Sequence, residues 1–224
     1  MFVVNRHLIV IEGLDGSGKA TQTGLLCRRL EADGREVRHI SFPNYAESSS
    51  ALVKSYLAGE FGVSPDAVNA YAASSFYAVD RYAAYKKHWR LDYQNGVTIV
   101  ADRYTTSNAV YQMTKLPRSE WDFFLSWLAD YEYRLLELPR PDAVVYLDMP
   151  TEVAQRLLSG RYGGNEARKD IHEADAAFQE KCRESALYAA ERLGWHVVDC
   201  SENGAPRSVE SIAQQVFQRV MRHF

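Results

Sequence analysis

A lysine behind a run of glycines is where this sequence first suggests chemistry. Leu8-Ile9-Val10-Ile11-Glu12 leads into Gly13-Leu14-Asp15-Gly16-Ser17-Gly18-Lys19-Ala20-Thr21, and a stretch of helical period follows. Strand, glycine-rich turn and helix in that order, with Gly13 and Gly18-Lys19 at the Walker A spacing, describe a phosphate-binding loop. The glycines let the backbone curl so that several N–H groups face one concavity. The helix N-terminus adds unpaired donors and a positive dipole end. Lys19 supplies a point charge for the outer phosphates. A dinucleotide fingerprint is excluded, because Thr21 stands where the glycine after Gly16-Ser17-Gly18 would fall. Ala20 occupies the place where such loops carry a metal-binding hydroxyl. Thr21 does not simply replace it, since one residue along a helix turns a side chain by about 100°. A magnesium ion is therefore expected on phosphates, water and carboxylates, with Asp15, Asp102 and Glu173 as candidates.

A second constellation ends another apolar run. Val97-Thr98-Ile99-Val100-Ala101 reads as a buried strand and closes on Asp102-Arg103-Tyr104. Arg103 offers a planar fork for a phosphate, and Asp102 is placed to orient it or to hold metal-bound water. A third is basic: Gly160-Arg161-Tyr162-Gly163-Gly164-Asn165-Glu166-Ala167-Arg168-Lys169-Asp170 sets three cations among three glycines. Phosphoryl transfer needs positive charge on the transferring group and exclusion of water, and a basic flap supplies both.

The elements that must position these groups alternate along the chain. Strands are expected at 7–12, 36–41, 97–102, 143–148 and 195–199. Helices are expected at 19–33, 65–91, 118–138, 151–159, 171–193 and 207–223. Short Val- and Ile-rich strands alternating with helices imply one α/β domain over 1–224, with a central five-stranded parallel sheet flanked by helices in three layers. In such sheets ligands bind beyond the carboxyl ends of the strands, where the first two constellations fall.

Composition bounds the partners. The chain has 224 residues, 26 Lys plus Arg against 29 Asp plus Glu, and a formal net charge of −3. That balance argues against a nucleic-acid groove. No apolar run reaches the ~18 residues of a membrane span. Three widely spaced cysteines suggest neither a zinc site nor a disulfide framework, and a reducing cytoplasm fits them.

Taken together, 12–22, Phe42-Pro43, Tyr77…Arg81, 102–111 and the basic segment 161–175 resemble the thymidylate kinases, in order and over nearly the full length. The resemblance implies a P-loop kinase with a basic lid near 160–171. Such an enzyme passes the γ-phosphoryl group of ATP, with Mg²⁺, to dTMP. The resemblance puts Tyr77 over the thymine ring, Arg81 at its O4 edge and Asn108 at its N3 edge. Tyr111 excludes a ribose 2′-hydroxyl, and Arg103 grips the acceptor phosphate. Asp15 and Glu173 lie near the acceptor sugar and metal, and Pro43 and Tyr45 form part of the wall. Gly13, Gly16, Ser17, Gly18, Lys19, Ala20 and Thr21 hold the donor phosphates. Some relatives place an arginine inside the phosphate loop; here the catalytic cations are expected from the lid, at Arg161 and Arg168, with Arg156 stacking on adenine. No general base is needed, because a phosphate monoester is already largely ionised at neutral pH. A homodimer in the cytoplasm is also implied. The alternatives are a kinase for another pyrimidine monophosphate such as dUMP, and a catalytically weak nucleotide-binding relative, suggested by Ala20.

Overall fold

The protein is described by a computed structural model covering residues 5–161 and 176–224. Five strands, β1 (Leu8–Gly13), β2 (Val37–Ser41), β3 (Thr98–Asp102), β4 (Ala143–Asp148) and β5 (His196–Asp199), form one sheet in the order β2-β3-β1-β4-β5. Every pairing is parallel. The three inner strands are buried at every residue, which is why they read as unbroken apolar runs rather than alternating ones. Side chains alternate across the sheet. Leu8 and Val10 of β1 enter one core, and Ile9 and Ile11 enter the other.

Helices cover both faces. They are α1 (Lys19–Ala32), α2 (Ala51–Leu57), α3 (Ala70–Ala84), α4 (Arg90–Gln94), α5 (Thr106–Tyr111), α6 (Trp121–Ala129), α7 (Thr151–Arg161), α8 (Ala176–Leu193) and α9 (Val209–Val220). Leu26 and Leu30 of α1, Val153 of α7 and Val216 of α9 fill one core. Tyr111 of α5, Phe124 of α6 and Ala186 of α8 help fill the other. The chain runs from β1 out to the β2 edge, returns to β3, and then crosses to β4 and β5 on the far side. The carboxyl end of β1 is thus the switch point of the sheet, where such folds bind ligands.

Two expected helices are shorter and more irregular than their patterns suggest. The 65–91 pattern begins in a 3-10 turn at Pro65–Ala67, and α3 starts only at Ala70. Asn69 caps it, its Oδ1 accepting from Ala72 N at 2.9 Å. The helix then passes through a π turn, Tyr85–Trp89, into α4. The 118–138 pattern likewise resolves into a 3-10 turn, α6 and a second π turn, Asp130–Leu135. A small antiparallel hairpin, β6 (Ser201–Glu202) with β7 (Ala205–Pro206), was not expected. Among the described residues no helix is long and apolar enough to cross a membrane.

Candidate functional site

The phosphate loop closes where the sequence predicts it. Gly18 takes a left-handed conformation (φ 88°) and starts α1 with no side-chain cap, which leaves the first-turn N–H groups for a ligand. Ser17 N donates to Leu14 O at 3.1 Å, tightening the turn. Ser17 Oγ is buried beneath the loop with no hydrogen-bond partner among the described residues. Gly16 lies flush against α7: a Cβ there would sit 2.5 Å from Ala154 O. Lys19 is buried, and its Nζ donates to Leu14 O at 2.8 Å. Burial and the neighbouring Arg103 charge lower its pKa, against the pull of Asp15, Asp102 and Glu12. Ala20 and Thr21 are exposed on α1.

Arg103, just past β3, reaches this loop. Its backbone is left-handed (φ 65°), a conformation that costs a non-glycine residue about 1–3 kcal/mol and persists only where the surroundings enforce it. Arg103 N donates to Ile11 O of β1 at 3.1 Å. Its Nη2 donates to Asp15 Oδ1, and its Nη1 stands 3.7 Å from Glu12 Oε1. The guanidinium carbon lies 5.0 Å from the Tyr111 ring centre. Tyr111 OH donates to Asp15 Oδ2 at 3.2 Å. Burial alone would raise the Asp15 pKa. The Arg103 and Lys19 charges, with hydrogen bonds from Arg103 and Tyr111, outweigh it and hold this carboxyl well below the usual carboxylate range.

Beside this ionic group lies a cavity of about 200 Å³. Asp15, Arg103 and Tyr111 line it next to the phosphate loop. Pro43 and Tyr45 form a wall, and Tyr77, Arg81 and Asn108 complete it. The eight described residues expected around an acceptor nucleotide therefore share one cavity. Tyr77 and Arg81 come from one face of α3, as their i, i+4 spacing requires. The Tyr77 ring meets Tyr56 edge-on, with centroids 6.4 Å apart. Arg81 is fully buried and bidentate to Glu132: Nε to Oε2 at 2.7 Å, Nη2 to Oε1 at 2.6 Å. Its Nη1 donates to Tyr104 O at 3.3 Å. Asn108 Nδ2 donates to Ser74 O at 3.2 Å and to Glu132 Oε1 at 2.9 Å.

Four supporting groups lay outside the sequence expectations. Glu12 is fully buried at the end of β1. Its Oε1 accepts from Gly13 N at 3.1 Å, and its Oε2 accepts from Thr106 Oγ1 at 2.8 Å and Ser107 Oγ at 2.7 Å. A carboxylate ending an apolar run was its sequence signal. Asp80 accepts from Asn44 N at 2.8 Å and Ser49 Oγ at 2.7 Å, tying the Pro43–Tyr45 wall to α3. Lys115 Nζ donates to Tyr56 OH and to Val68 O, both at 2.8 Å. Burial lowers its pKa to about 8, against a weaker upward pull from Asp66. Neither Asp80 nor Lys115 stands in a recognisable spacing, and Glu132 carries no signal either.

The remaining candidates fall elsewhere. Arg156 is exposed on α7 and donates from Nη2 to Gly204 O at 2.6 Å, in the hairpin turn. Arg161 closes α7, but its side chain lies outside the described residues, as do Arg168, Glu173 and most of the expected lid. Among the described residues no group of three acidic, histidine or cysteine side chains is arranged to hold a metal. Asp102 is buried, and its charge acts on both Lys19 and Arg103. Both Asp15 oxygens already accept hydrogen bonds. This donor set fits magnesium held largely by phosphates and water, with one or two carboxylates in support, as is usual for that ion.

Comparison with known proteins gives a consistent picture. The sequence model of the thymidylate kinase family matches residues 11–212. The thymidylate kinase of Mycobacterium tuberculosis is 35% identical over 184 residues, which is 81% of this chain and 84% of that one. The thymidylate kinase of Plasmodium falciparum is 28% identical over 214 residues, 96% of this chain and 89% of that one. The solved structure of a thymidylate kinase from Candida albicans superposes with a TM-score of 0.71 at 21% identity, covering 100% of this chain and 96% of the other.

Proposed function

The chain belongs to the thymidylate kinase family, and from that membership we propose that it transfers the γ-phosphoryl group of ATP to dTMP, giving dTDP and ADP. One observation carries this reading. The cavity beside the phosphate loop joins Asp15, Arg103 and Tyr111 to Tyr77, Arg81 and Asn108 in a single space. That arrangement supports a nucleoside monophosphate whose phosphate faces Arg103 and whose base lies against Tyr77.

The division of labour follows. Gly13 through Thr21 receive the donor phosphates, with loop N–H groups and Lys19 stabilising charge that builds in transfer. Arg103 is held in an unusual backbone conformation with its fork directed at Asp15. An incoming phosphate would take over part of that contact. The acceptor phosphate is itself the nucleophile, with a second pKa near ~6, so alignment and charge stabilisation suffice. Tyr111 fills the place beside the sugar. Mg²⁺, when bound, would neutralise charge on the donor phosphates. Asp15 and Asp102 would hold its water shell, with Glu173 as a further candidate, and Ala20 supplies no hydroxyl. Arg161 and Arg168 would cover the transferring group, and Arg156 the adenine edge. We further infer a cytoplasmic homodimer. The three buried free cysteines and the half-exposed Val79 and Tyr82 on α3 are compatible with it.

The test is ADP release with ATP, Mg²⁺ and a panel of monophosphates. Turnover of dTMP well above dUMP supports the reading. Equal turnover would assign a broader pyrimidine specificity, since one methyl group is worth only ~1–3 kcal/mol. Binding of both nucleotides without ADP formation would mark a non-catalytic relative, which Ala20 alone favours.

A further inference from the structure

The base end of the cavity has a fixed hydrogen-bonding polarity, and a residue outside the cavity lining sets it. Asn108 is buried, and its side-chain nitrogen faces two acceptors, Ser74 O at 3.2 Å and Glu132 Oε1 at 2.9 Å. An amide has two N–H donors on nitrogen and only acceptor capacity on oxygen. Both donors are therefore spent inward. Turning the amide over would set its oxygen against a carbonyl and a carboxylate, leaving buried acceptors face to face. Oδ1 accepts from no described residue, and Asn108 lines the cavity. The cavity thus meets an acceptor at Asn108.

Arg81 supplies the opposite character. Three of its five N–H groups are engaged, two by Glu132 and one by Tyr104 O. A guanidinium has no acceptor, so at the cavity wall Arg81 can only donate. Both groups are locked by the same carboxylate. Glu132 is fully buried and lies in the π turn Asp130–Leu135 that follows α6. π turns inside helices often mark functional positions. A buried carboxylate paired with a buried guanidinium is weak evidence of stabilisation by itself, because desolvation offsets much of the attraction.

We propose that Glu132 is the positioning residue that makes this cavity read a 4-oxo pyrimidine, by fixing Asn108 as an acceptor and holding the Arg81 donor in place beside it. A base with N3–H and O4 is complementary to that pair. A 4-amino pyrimidine presents an acceptor at N3 and a donor at position 4, and is mismatched at both points. The inference deepens the proposed function and rests on it.

The experiment compares dTMP with 5-methyl-dCMP, which keeps the methyl group and shape and exchanges only the hydrogen-bonding edge. Wild-type kcat/KM should favour dTMP by at least ~100-fold, as expected when polar groups are left unpaired. Glu132→Ala lets water replace the carboxylate and should narrow that ratio by tenfold or more, with part of the change on the 5-methyl-dCMP side. If Glu132→Ala does not fold, Glu132→Asp keeps the charge opposite Arg81 while drawing it back from Asn108, and should narrow the ratio less but measurably. A purely structural Glu132 would lower both substrates together and leave the ratio unchanged, which would overturn the inference. A wild-type protein that ignores dTMP altogether would instead overturn the kinase reading. A wild-type protein that turns over both nucleotides equally would overturn the polarity assignment while leaving the kinase intact.

Discussion

Lys19 Nζ stands 3.6 Å from Asp15 Oδ1, the oxygen that also receives Arg103 Nη2. Two cations that a phosphate would attract are thus parked on one carboxylate until it arrives. Asp15→Asn keeps the shape and removes the charge that holds them. Its kcat for dTMP should fall about 100-fold or more, in the range seen when one preorganised electrostatic contact is lost. Steady-state ADP release measures this.

The same carboxyl governs acid stability. Its folded pKa lies below the ordinary value, so the folded state binds fewer protons than the unfolded chain near and below the ordinary aspartate value of ~3.9. The contribution is full above that pH and is lost as pH falls towards the folded pKa. Thermal unfolding between pH 5 and 3 should show wild type losing stability more steeply than Asp15→Asn. Parallel curves would show that the pairing contributes nothing.

Lys115 is shifted in the same direction, but in the alkaline range and by burial rather than by pairing. Burial drops its pKa to about 8, against ~10.4 unperturbed. Between those values the unfolded chain carries the proton and the folded chain does not, so stability rises with pH across that window. The Tm of wild type minus that of Lys115→Met should increase from pH 8 to 10. A flat difference would mean that the amine is not desolvated in solution.

Tyr77 is expected to act through its ring. Stacking a base on an aromatic side chain is worth ~1–3 kcal/mol, or roughly 5- to 150-fold. Tyr77→Leu should raise KM for dTMP within that range with little change in kcat, and Tyr77→Phe should leave KM within about twofold. A kcat loss in Tyr77→Leu would instead place the ring's contribution in the transfer step.

Lys19→Met should lower kcat by ~10²–10³ while the chain still binds dTMP, which calorimetry would show. Retained turnover would separate the phosphate loop from the chemistry.

How much of this was legible depends on distance along the chain. The phosphate loop is written in consecutive residues, and the inner strands are apolar throughout because both faces are covered. Both were readable. Tyr77 and Arg81 share a helix face, so their meeting followed from spacing. Glu132 was not readable, because it lies 51 positions from Arg81 and 24 from Asn108, and a π turn has no sequence pattern. The Lys115 contact with Tyr56 spans 59 positions, and nothing local distinguishes that lysine from a surface one. The start of α3 was misplaced because Pro65 signals a helix N-terminus as strongly as the true cap, Asn69.

Asp80 and Arg81 are neighbours on α3, yet they hold different parts of the cavity. Asp80 anchors the loop carrying Pro43 and Tyr45, and Arg81 stands at the base end. One peptide unit therefore sets the spacing between the wall and the base-reading groups. The two cannot be adjusted separately, so α3 acts as a calliper with a locked jaw. A purine, one ring longer, would have to fit the same gap between the Pro43–Tyr45 wall and the buried Arg81.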